Sequence, residues 1–158
     1  MTAALDIHGL PGHLIRRLNQ ISVAQFHDLM GSLGLDLTPV QFAVLSAVGS
    51  NPGIDQATVA GLVAHDRATV GKVIERLAAK GFLKREVSEH DRRSKVLALT
   101  GAGIGLLEMT RPAVSDLQPT ILAGLDADEQ SLFVELLNKA ANAGNDLSRA
   151  PLRATAAE

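Results

Sequence analysis

The clearest indication of the fold of this chain comes from residues 55–80, which read DQATVAGLVAHDRATVGKVIERLAAK. It predicts two helices in quick succession, one starting after Asp55 and one after Asp66, because aspartate is a favoured N-cap residue. The second helix is expected to reach about Lys80 and to end at Gly81, since glycine readily takes the left-handed backbone that closes a helix. Two helices joined by so short a turn form a helix–turn–helix.

The apolar residues of these two helices are expected to pack against each other. They are Ala57, Ala60, Leu62 and, in part, Val59 from the first helix, and Val70, Val73, Ile74 and Leu77 from the second. The other side of the second helix is small and charged, as in a helix that enters the major groove of DNA. We expect Thr69 to touch a base edge or a thymine methyl group, and Lys72 a guanine or a phosphate. A purely structural helix pair remains the alternative.

Beyond Gly81 the apolar period changes from that of a helix to that of a strand. Residues 82–87 and 95–99 are β-prone and flank a charged segment, which predicts a hairpin with a long loop, the wing of a winged helix–turn–helix. Arginine enters narrow minor grooves, and an acid between two arginines orients one of them. The charged residues clustered near the tip are Arg85, Glu89, Asp91, Arg92, Arg93 and Lys95. The alternative is a solvated hairpin whose charges prevent edge-to-edge aggregation.

The charge of the chain is unevenly distributed. The 158 residues have a formal net charge of −2, yet residues 66–95 hold nine Lys and Arg against five Asp and Glu. The remainder holds six Lys and Arg against twelve acids. A basic module within an acidic chain indicates double-stranded DNA as the partner.

Composition excludes several other functions. The chain has no Cys, Trp or Tyr and four Phe. Disulfides, cysteine nucleophiles and sensing by thiol oxidation are therefore excluded, and stacking on single-stranded nucleic acid is disfavoured. The sequence contains no nucleophile motif, phosphate-binding loop or paired carboxylates, so we expect neither an enzyme nor a cofactor. The five histidines lack metal-ligand spacing, so we expect no metal site.

Helices are also expected on both sides of this module. Apolar residues at three- and four-residue spacing predict a helix over residues 11–33, and TPVQ (38–41) and DADE (126–129) are capping boxes. Thr100 restarts a helix that Pro112 and Pro119 should kink or break. The fold class is therefore mainly α with a small β-hairpin wing (α+β). The outer helices are too amphipathic to stand alone, so they pack on each other or on a second copy.

The run from Leu37 to Thr100 resembles the MarR (multiple-antibiotic-resistance) family of transcriptional regulators. The matching pieces are LTPVQFAVL (37–45), DRATVGKVIERLAAKGFLKR (66–85) and DRRSKVLALT (91–100), and Gly103 matches a glycine common after the wing. Gly71 departs from the family, where a polar residue is more frequent, so we expect no base readout from position 71. The resemblance implies a homodimer with two winged lobes on a pseudo-palindromic operator. Asp91 would be the wing's orienting acid and Arg93 its minor-groove arginine.

This resemblance divides the chain into four parts. Residues 1–35 are expected to form an N-terminal dimerisation helix, 36–100 the winged helix–turn–helix and 101–147 the C-terminal dimerisation helices. The remaining residues, 148–158, are small, polar and interrupted by proline, and this composition predicts a disordered tail. The candidate DNA-binding residues are Gln56, Thr58, Arg67, Ala68, Thr69, Lys72, Arg76, Asp91, Arg92, Arg93 and Lys95.

A second cluster of polar residues surrounds the first helix. Members of the family commonly respond to a small, often aromatic, acid; arginine binds a carboxylate through two hydrogen bonds and histidine can meet a ring hydroxyl. The candidate ligand-binding residues are His8, His13, Arg16, Arg17 and Gln20, with His27 just beyond. The alternative is a solvated or inter-subunit face that pairs with acids such as Glu108, Asp116 or Glu135.

These observations predict a homodimeric, ligand-responsive transcriptional regulator, a repressor released from its operator by a small aromatic acid. The alternative is a winged-helix module for protein interaction or DNA architecture without an effector. The absence of a signal sequence and of a long apolar run predicts a cytoplasmic protein with no membrane partner.

Overall fold

The computed structural model describes residues 6–88, 90–91 and 95–154. Within these residues the chain forms six α-helices and one two-stranded antiparallel hairpin, which confirms the predicted fold class. The elements are α1 Pro11–Ser32, α2 Pro39–Ser50, α3 Gln56–Leu62, α4 Arg67–Ala79, β1 Leu83–Val87, β2 Lys95–Leu99, α5 Gly101–Ile121 and α6 Ala127–Ala143, with short 3₁₀ turns at Ile7–Gly9 and Asn145–Leu147. No helix in the described ranges is long and apolar enough to cross a membrane.

Reciprocal side-chain caps start two of these helices. At α2 the Gln41 N–H donates to Thr38 Oγ1 at 3.2 Å, and the Thr38 N–H donates to Gln41 Oε1 at 3.0 Å. Asp126 and Glu129 form the same arrangement at α6. Both predicted capping boxes are confirmed, so these two helix starts are encoded locally in the sequence.

The hydrophobic core lies within the winged helix–turn–helix and is closed by the helices on either side of it. Its fully buried members include Val44 and Leu45 of α2 and Ile74 and Leu77 of α4. The end of α1 adds Phe26 and Met30, and the first turns of α5 add Leu106 and Leu107. Both flanking helices therefore contribute to this core, α1 near its C-terminal end and α5 from its first turns as far as Leu117.

The hairpin is attached to this core along one edge. In its register Leu83 pairs with Leu99 and Arg85 with Leu97, and both Leu83 and Leu97 are buried. The Leu97 N–H also donates to the carbonyl of Ile54 at 2.8 Å, which ties β2 to the segment just before α3. The base of the wing is thereby held against the helix–turn–helix.

The sequence predicted that Pro112 and Pro119 would kink or break this helix, and the break does not occur. The helix runs from Gly101 to Ile121 through Pro112 and Pro119. Pro112 lacks the N–H that would bond the Glu108 carbonyl, but the turn before it is held by buried contacts. Thr110 is fully buried, and its hydroxyl donates to the Leu106 carbonyl at 2.7 Å. Pro119 lies two residues from the helix end, so its missing N–H weakens only the last turn.

Candidate nucleic-acid interface

Two identical aspartate caps set the two helices of the helix–turn–helix. Asp55 accepts from the Thr58 N–H at 2.9 Å and from the Thr58 hydroxyl at 2.6 Å. Asp66 accepts from the Thr69 N–H and hydroxyl at the same two distances. The threonine hydroxyl bond is the main reason that the pKa of each aspartate lies below its ordinary value. Both carboxylates are therefore charged and already engaged at neutral pH.

These caps alter what Thr58 and Thr69 can offer to DNA. Each hydroxyl gives its proton to a carboxylate, so neither can donate to a phosphate or a base without breaking the cap. Both side chains are half-buried. The methyl group of Thr69 remains available for an apolar contact with thymine, which is one of the two contacts expected from the sequence.

Helix α4 has one buried and one exposed face, as the sequence predicted. Val70, Val73, Ile74 and Leu77 are buried in the core. The exposed residues of the opposite face are Arg67, Ala68, Lys72, Glu75 and Arg76. The small Ala68 in the first turn leaves room for close approach to a groove, and the three cations beside it favour a polyanion.

The inward face of α3 differs from the expected one. Val59 is fully buried rather than partly, and Ala57, expected to pack on α4, is exposed. The face of this short helix that meets α4 is centred on Val59 and Ala60, so Ala57 turns outward.

Gln56 bridges α4 and the wing. Arg85 of β1 donates to Gln56 Oε1 at 3.4 Å, and a Cβ atom at position 71 would lie 2.9 Å from Gln56 Nε2. Glycine at position 71 therefore provides the space for the Gln56 side chain, a role that the sequence alone did not reveal. Gln56 is half-buried, and its side-chain oxygen already accepts a hydrogen bond from another residue of the protein.

Left-handed residues close both helices of the motif. Ala64 has φ +51°, and the following His65 N–H donates to the Ala60 carbonyl at 3.1 Å. Gly81 has φ +78°, and the Phe82 N–H donates to the Leu77 carbonyl at 2.9 Å. The predicted stop at Gly81 is confirmed, and it turns the chain directly from α4 into the wing.

The described part of the wing tip is a serine-capped turn. Ser88 Oγ accepts from the N–H of His90 at 3.2 Å and of Asp91 at 3.3 Å. Lys95 opens β2, is exposed and lies opposite Val87. The candidate DNA-binding residues Arg92 and Arg93 lie outside the described residues.

Not every cation of the basic module belongs to the DNA-facing surface. Lys80 Nζ donates to Asp36 Oδ2 at 2.9 Å and to the Asp36 carbonyl at 2.8 Å, joining the end of α4 to the segment before α2. The Lys80 hydrogen bond is the largest cause lowering the pKa of the Asp36 carboxyl. Lys80 therefore links the end of α4 to the segment before α2.

Two arginines, Arg149 and Arg153, are not among the site residues predicted from the sequence. They lie in the segment after α6, which composition had suggested to be disordered. Residues 148–154 instead lie against α3 and the start of α4, and the Arg153 N–H donates to the Gly61 carbonyl at 2.9 Å. An acid-free run with two arginines four residues apart was the available signal.

The five candidate ligand-binding residues lie at the start of α1 and just before it. The rings of His8 and His13 are 5.5 Å apart, edge to face, and Arg16 donates to Gln20 Oε1 at 2.8 Å. His13 is half-buried and the other four residues are exposed. None of the five lines the groove that α1 forms with α5 and α6, and they are brought together as neighbours along α1 and the turn before it.

An apolar groove of about 460 Å³ lies between α1, α5 and α6. Its walls include Leu14, Leu18, Ile121 and Leu137. Helix α6 buries none of its residues, and Leu132, Leu136 and Leu137 are 54%, 53% and 44% exposed. In the described residues no three His, Asp or Glu side chains are placed to hold a metal ion.

An exposed basic helix after a tight turn, with a hairpin attached beside it, defines a winged helix–turn–helix DNA-binding protein. A family model described as MarR family matches residues 35–94. The transcriptional regulator HosA of Escherichia coli O157:H7 is 32% identical over 131 residues, which cover 82% of this chain and 93% of HosA. The chain therefore belongs to the MarR family of transcriptional regulators, and it is a regulator rather than an enzyme.

Two solved structures extend this similarity to the whole fold. The PcaV transcriptional regulator of Streptomyces coelicolor, solved with its natural ligand, has a TM-score of 0.78 and 35% identity, covering 90% of this chain and 99% of PcaV. Bordetella bronchiseptica BpsR, whose DNA binding is regulated by 6-hydroxynicotinic acid, has a TM-score of 0.81 and 32% identity, covering 89% of this chain and 99% of BpsR.

Proposed function

We propose that this protein is a homodimeric repressor that binds a pseudo-palindromic operator in the cytoplasm and leaves it when a small aromatic acid binds. The observation that carries the proposal is helix α4. Its apolar face is buried in the core, and its charged face is free beside the wing. Such a helix is fixed in orientation by its packing and presents its first turns to the major groove.

The DNA contacts divide by chemistry. Arg67, Lys72 and Arg76 provide the positive charge along α4, and Ala68 and the Thr69 methyl group allow close approach to base edges. The wing adds Asp91, Arg92, Arg93 and Lys95, with Arg93 in the minor groove. Gln56 and Thr58 contribute through the protein: Gln56 accepts from Arg85 of the wing, and Thr58 completes the Asp55 cap that starts α3.

Dimerisation is supported by the uncovered apolar surface of α6. A 17-residue helix with no buried residue gains little stability from its own chain, because tertiary packing supplies most helical stability. A second copy would cover α6 and fill the groove beside α1 in an isologous interface. The two α4 helices would then face half-sites about 34–36 Å apart, one turn of the duplex.

The effector site is placed at the start of α1. The exposed Arg16 and Arg17 and the half-buried His13 match an acid that carries a ring hydroxyl. Guanidinium groups pair with carboxylates, and an imidazole can donate a hydrogen bond to a hydroxyl or accept one from it. 6-Hydroxynicotinic acid, which regulates BpsR, is an acid of this kind. These residues are open to solvent in a single chain, so we place the site where the partner subunit would close it. Effector binding then shifts the spacing of the two lobes.

A band-shift experiment tests this function with the DNA upstream of the protein's own gene. We expect a sequence-dependent shift that weakens steeply with salt and is reversed by 6-hydroxynicotinic acid more than by nicotinic acid, which lacks the hydroxyl. Arg17→Ala should blunt the reversal while DNA affinity is kept. No sequence-dependent shift contradicts the proposal. Loss of dimerisation in Arg17→Ala would instead assign the cluster to the subunit interface.

A further inference from the structure

The chain returns to the helix–turn–helix after α6. We call residues 148–154 the return segment. Its Arg153 N–H donates to the carbonyl of Gly61 in α3 at 2.9 Å. Just before it, the Asn145 side chain donates to the Leu152 carbonyl at 3.0 Å and accepts from the Leu152 N–H at 2.8 Å. These three bonds close a loop and hold the end of the segment on α3.

The surface of α3 is shaped to receive this segment. A Cβ atom at position 61 would lie 3.0 Å from the Arg153 Cβ, closer than ordinary van der Waals contact. Glycine inside a helix is less favourable than alanine, because it loses more backbone freedom on folding. A glycine at this point of α3 is explained by the close approach of the return segment, which no side chain at position 61 would permit without displacement.

The contact creates a concentration of positive charge at the start of α4. Arg149 and Arg153 join Arg67 and His65 around a cavity of about 260 Å³. Asp66 is the one acid among the described residues that line this cavity, and its carboxylate already caps α4 through Thr69. Guanidinium groups brought together in this way repel one another, so an anionic partner at this place gains affinity from all of them.

We propose that the return segment is part of the DNA-binding surface and that Arg149 and Arg153 bind backbone phosphates beside the groove entered by α4. The inference rests on the proposed function, since it assumes that α4 enters the major groove. The cavity adjoins Arg67 in the first turn of α4, and the phosphates of the strand flanking the groove pass this turn. Phosphate contacts carry no base information, so these arginines raise affinity for any duplex.

The test compares full-length wild-type protein with an Arg149→Ala/Arg153→Ala double variant on operator and unrelated duplex DNA over a range of salt. Each lost phosphate contact should lower the slope of log K against log salt by about 0.9. We expect a flatter slope by about two for each bound chain, weaker binding to both duplexes and an unchanged preference between them. The Arg149→Lys/Arg153→Lys control keeps the charge and should keep most of the affinity.

A second variant separates the position of the segment from its charge. Gly61→Val displaces the return segment but leaves both arginines in the chain, so it should weaken DNA binding as the double alanine variant does. Combining the two changes should add little further loss, because both remove the same contact. Circular dichroism and the thermal midpoint establish that the variants are folded.

The outcomes distinguish this inference from the function on which it rests. If wild-type protein binds its operator and the double alanine variant binds with the same affinity and salt slope, the return segment is not a DNA contact and only this proposal fails. A lower thermal midpoint with unchanged DNA affinity also overturns it, in favour of a structural segment. If wild-type protein binds no duplex DNA, the proposed function fails with it.

Discussion

At the residue scale, the junction between the wing and α5 depends on two small residues. The Thr100 hydroxyl donates to the Gly81 carbonyl at 2.6 Å and accepts from the Gly103 N–H at 3.1 Å. A Cβ atom at position 103 would overlap the carbonyl oxygen of Phe82. The start of α5 can therefore lie against the end of α4 only because Gly103 has no side chain.

We expect Gly103→Ala to lower the free energy of unfolding by about 1–3 kcal/mol, because the backbone carbonyl it meets cannot move without shifting the wing. Gly105→Ala is the matched control: it is in the same helix, and an added Cβ would meet nothing within 4 Å. Its stability should be equal or higher, since alanine favours a helix by about 1 kcal/mol over glycine. Urea unfolding measures both. Equal losses in the two variants would refute the steric explanation.

The aspartate caps make stability depend on pH. The folded-state pKa of Asp55 is lowered by its bond to the Thr58 hydroxyl, so its stabilisation is present above the ordinary value of 3.8 and is lost as the pH falls through the folded pKa. Asp55→Ala should cost about 1 kcal/mol at pH 7. In urea titrations this difference from wild type should shrink below pH 3.8. Asp55→Asn should retain much of the cap at both pH values; an effect of Asp55→Ala that grows in acid would contradict the sign.

At the element scale, α4 carries the proposed DNA-reading surface, and α6 contributes no residue to the described core. The two helices are alike in having one apolar face, yet only that of α4 is covered by its own chain. The wing is held at its base by the hydrogen bond from the Leu97 N–H to the Ile54 carbonyl, which ties β2 to the segment before α3.

Two neighbouring substitutions on α4 test the assignment of its exposed face. Lys72→Ala should weaken operator binding and reduce the salt slope by about one if Lys72 meets a phosphate, or cost about 1–3 kcal/mol with relaxed specificity if it meets a guanine. Glu75→Ala removes an exposed acid from the same helix and should leave binding unchanged or stronger. Fluorescence anisotropy with labelled operator measures both. Equal weakening by the two variants would argue that α4 is not the reading helix.

At the scale of the whole molecule, the winged module is complete within one chain and the outer helices are not. The buried core is concentrated in the module, whereas α6 and the first half of α1 leave leucine and isoleucine side chains exposed. A dimer would cover these faces and fix the distance between two reading units. Dimerisation would then control operator spacing directly.

Leu137→Glu should dissociate the dimer, because it places a charge in the apolar groove between α1, α5 and α6. We expect dimer affinity to fall at least about thirtyfold, the loss typical of a central interface residue, and α6 to lose helicity in the monomer. Leu147→Glu is the control, since Leu147 is 91% exposed and lies outside the groove. Sedimentation equilibrium and circular dichroism measure these effects. An unchanged mass for Leu137→Glu would place the interface elsewhere.

Several helix starts, the helix–turn–helix and the wing could be predicted from the amino-acid sequence alone. These are local properties: Asp55, Asp66 and Thr38 cap helices through residues three positions away, and Gly81 ends α4 through its own backbone freedom. The apolar face of α4 could also be predicted from the sequence, because the spacing of its apolar residues depends only on helix geometry.

Features that depend on contacts between residues distant in sequence became visible only in the folded structure. The composition near residue 150 resembles that of a disordered tail, yet in the folded chain the Arg153 N–H donates to the Gly61 carbonyl. The space that Gly71 leaves for the Gln56 side chain is likewise visible only in the structure. Pro112 was expected to interrupt α5, but burial of the turn before it keeps the helix continuous. Periodicity and capping act over a few residues, whereas a close approach between segments depends on shapes that the chain acquires only when it is packed.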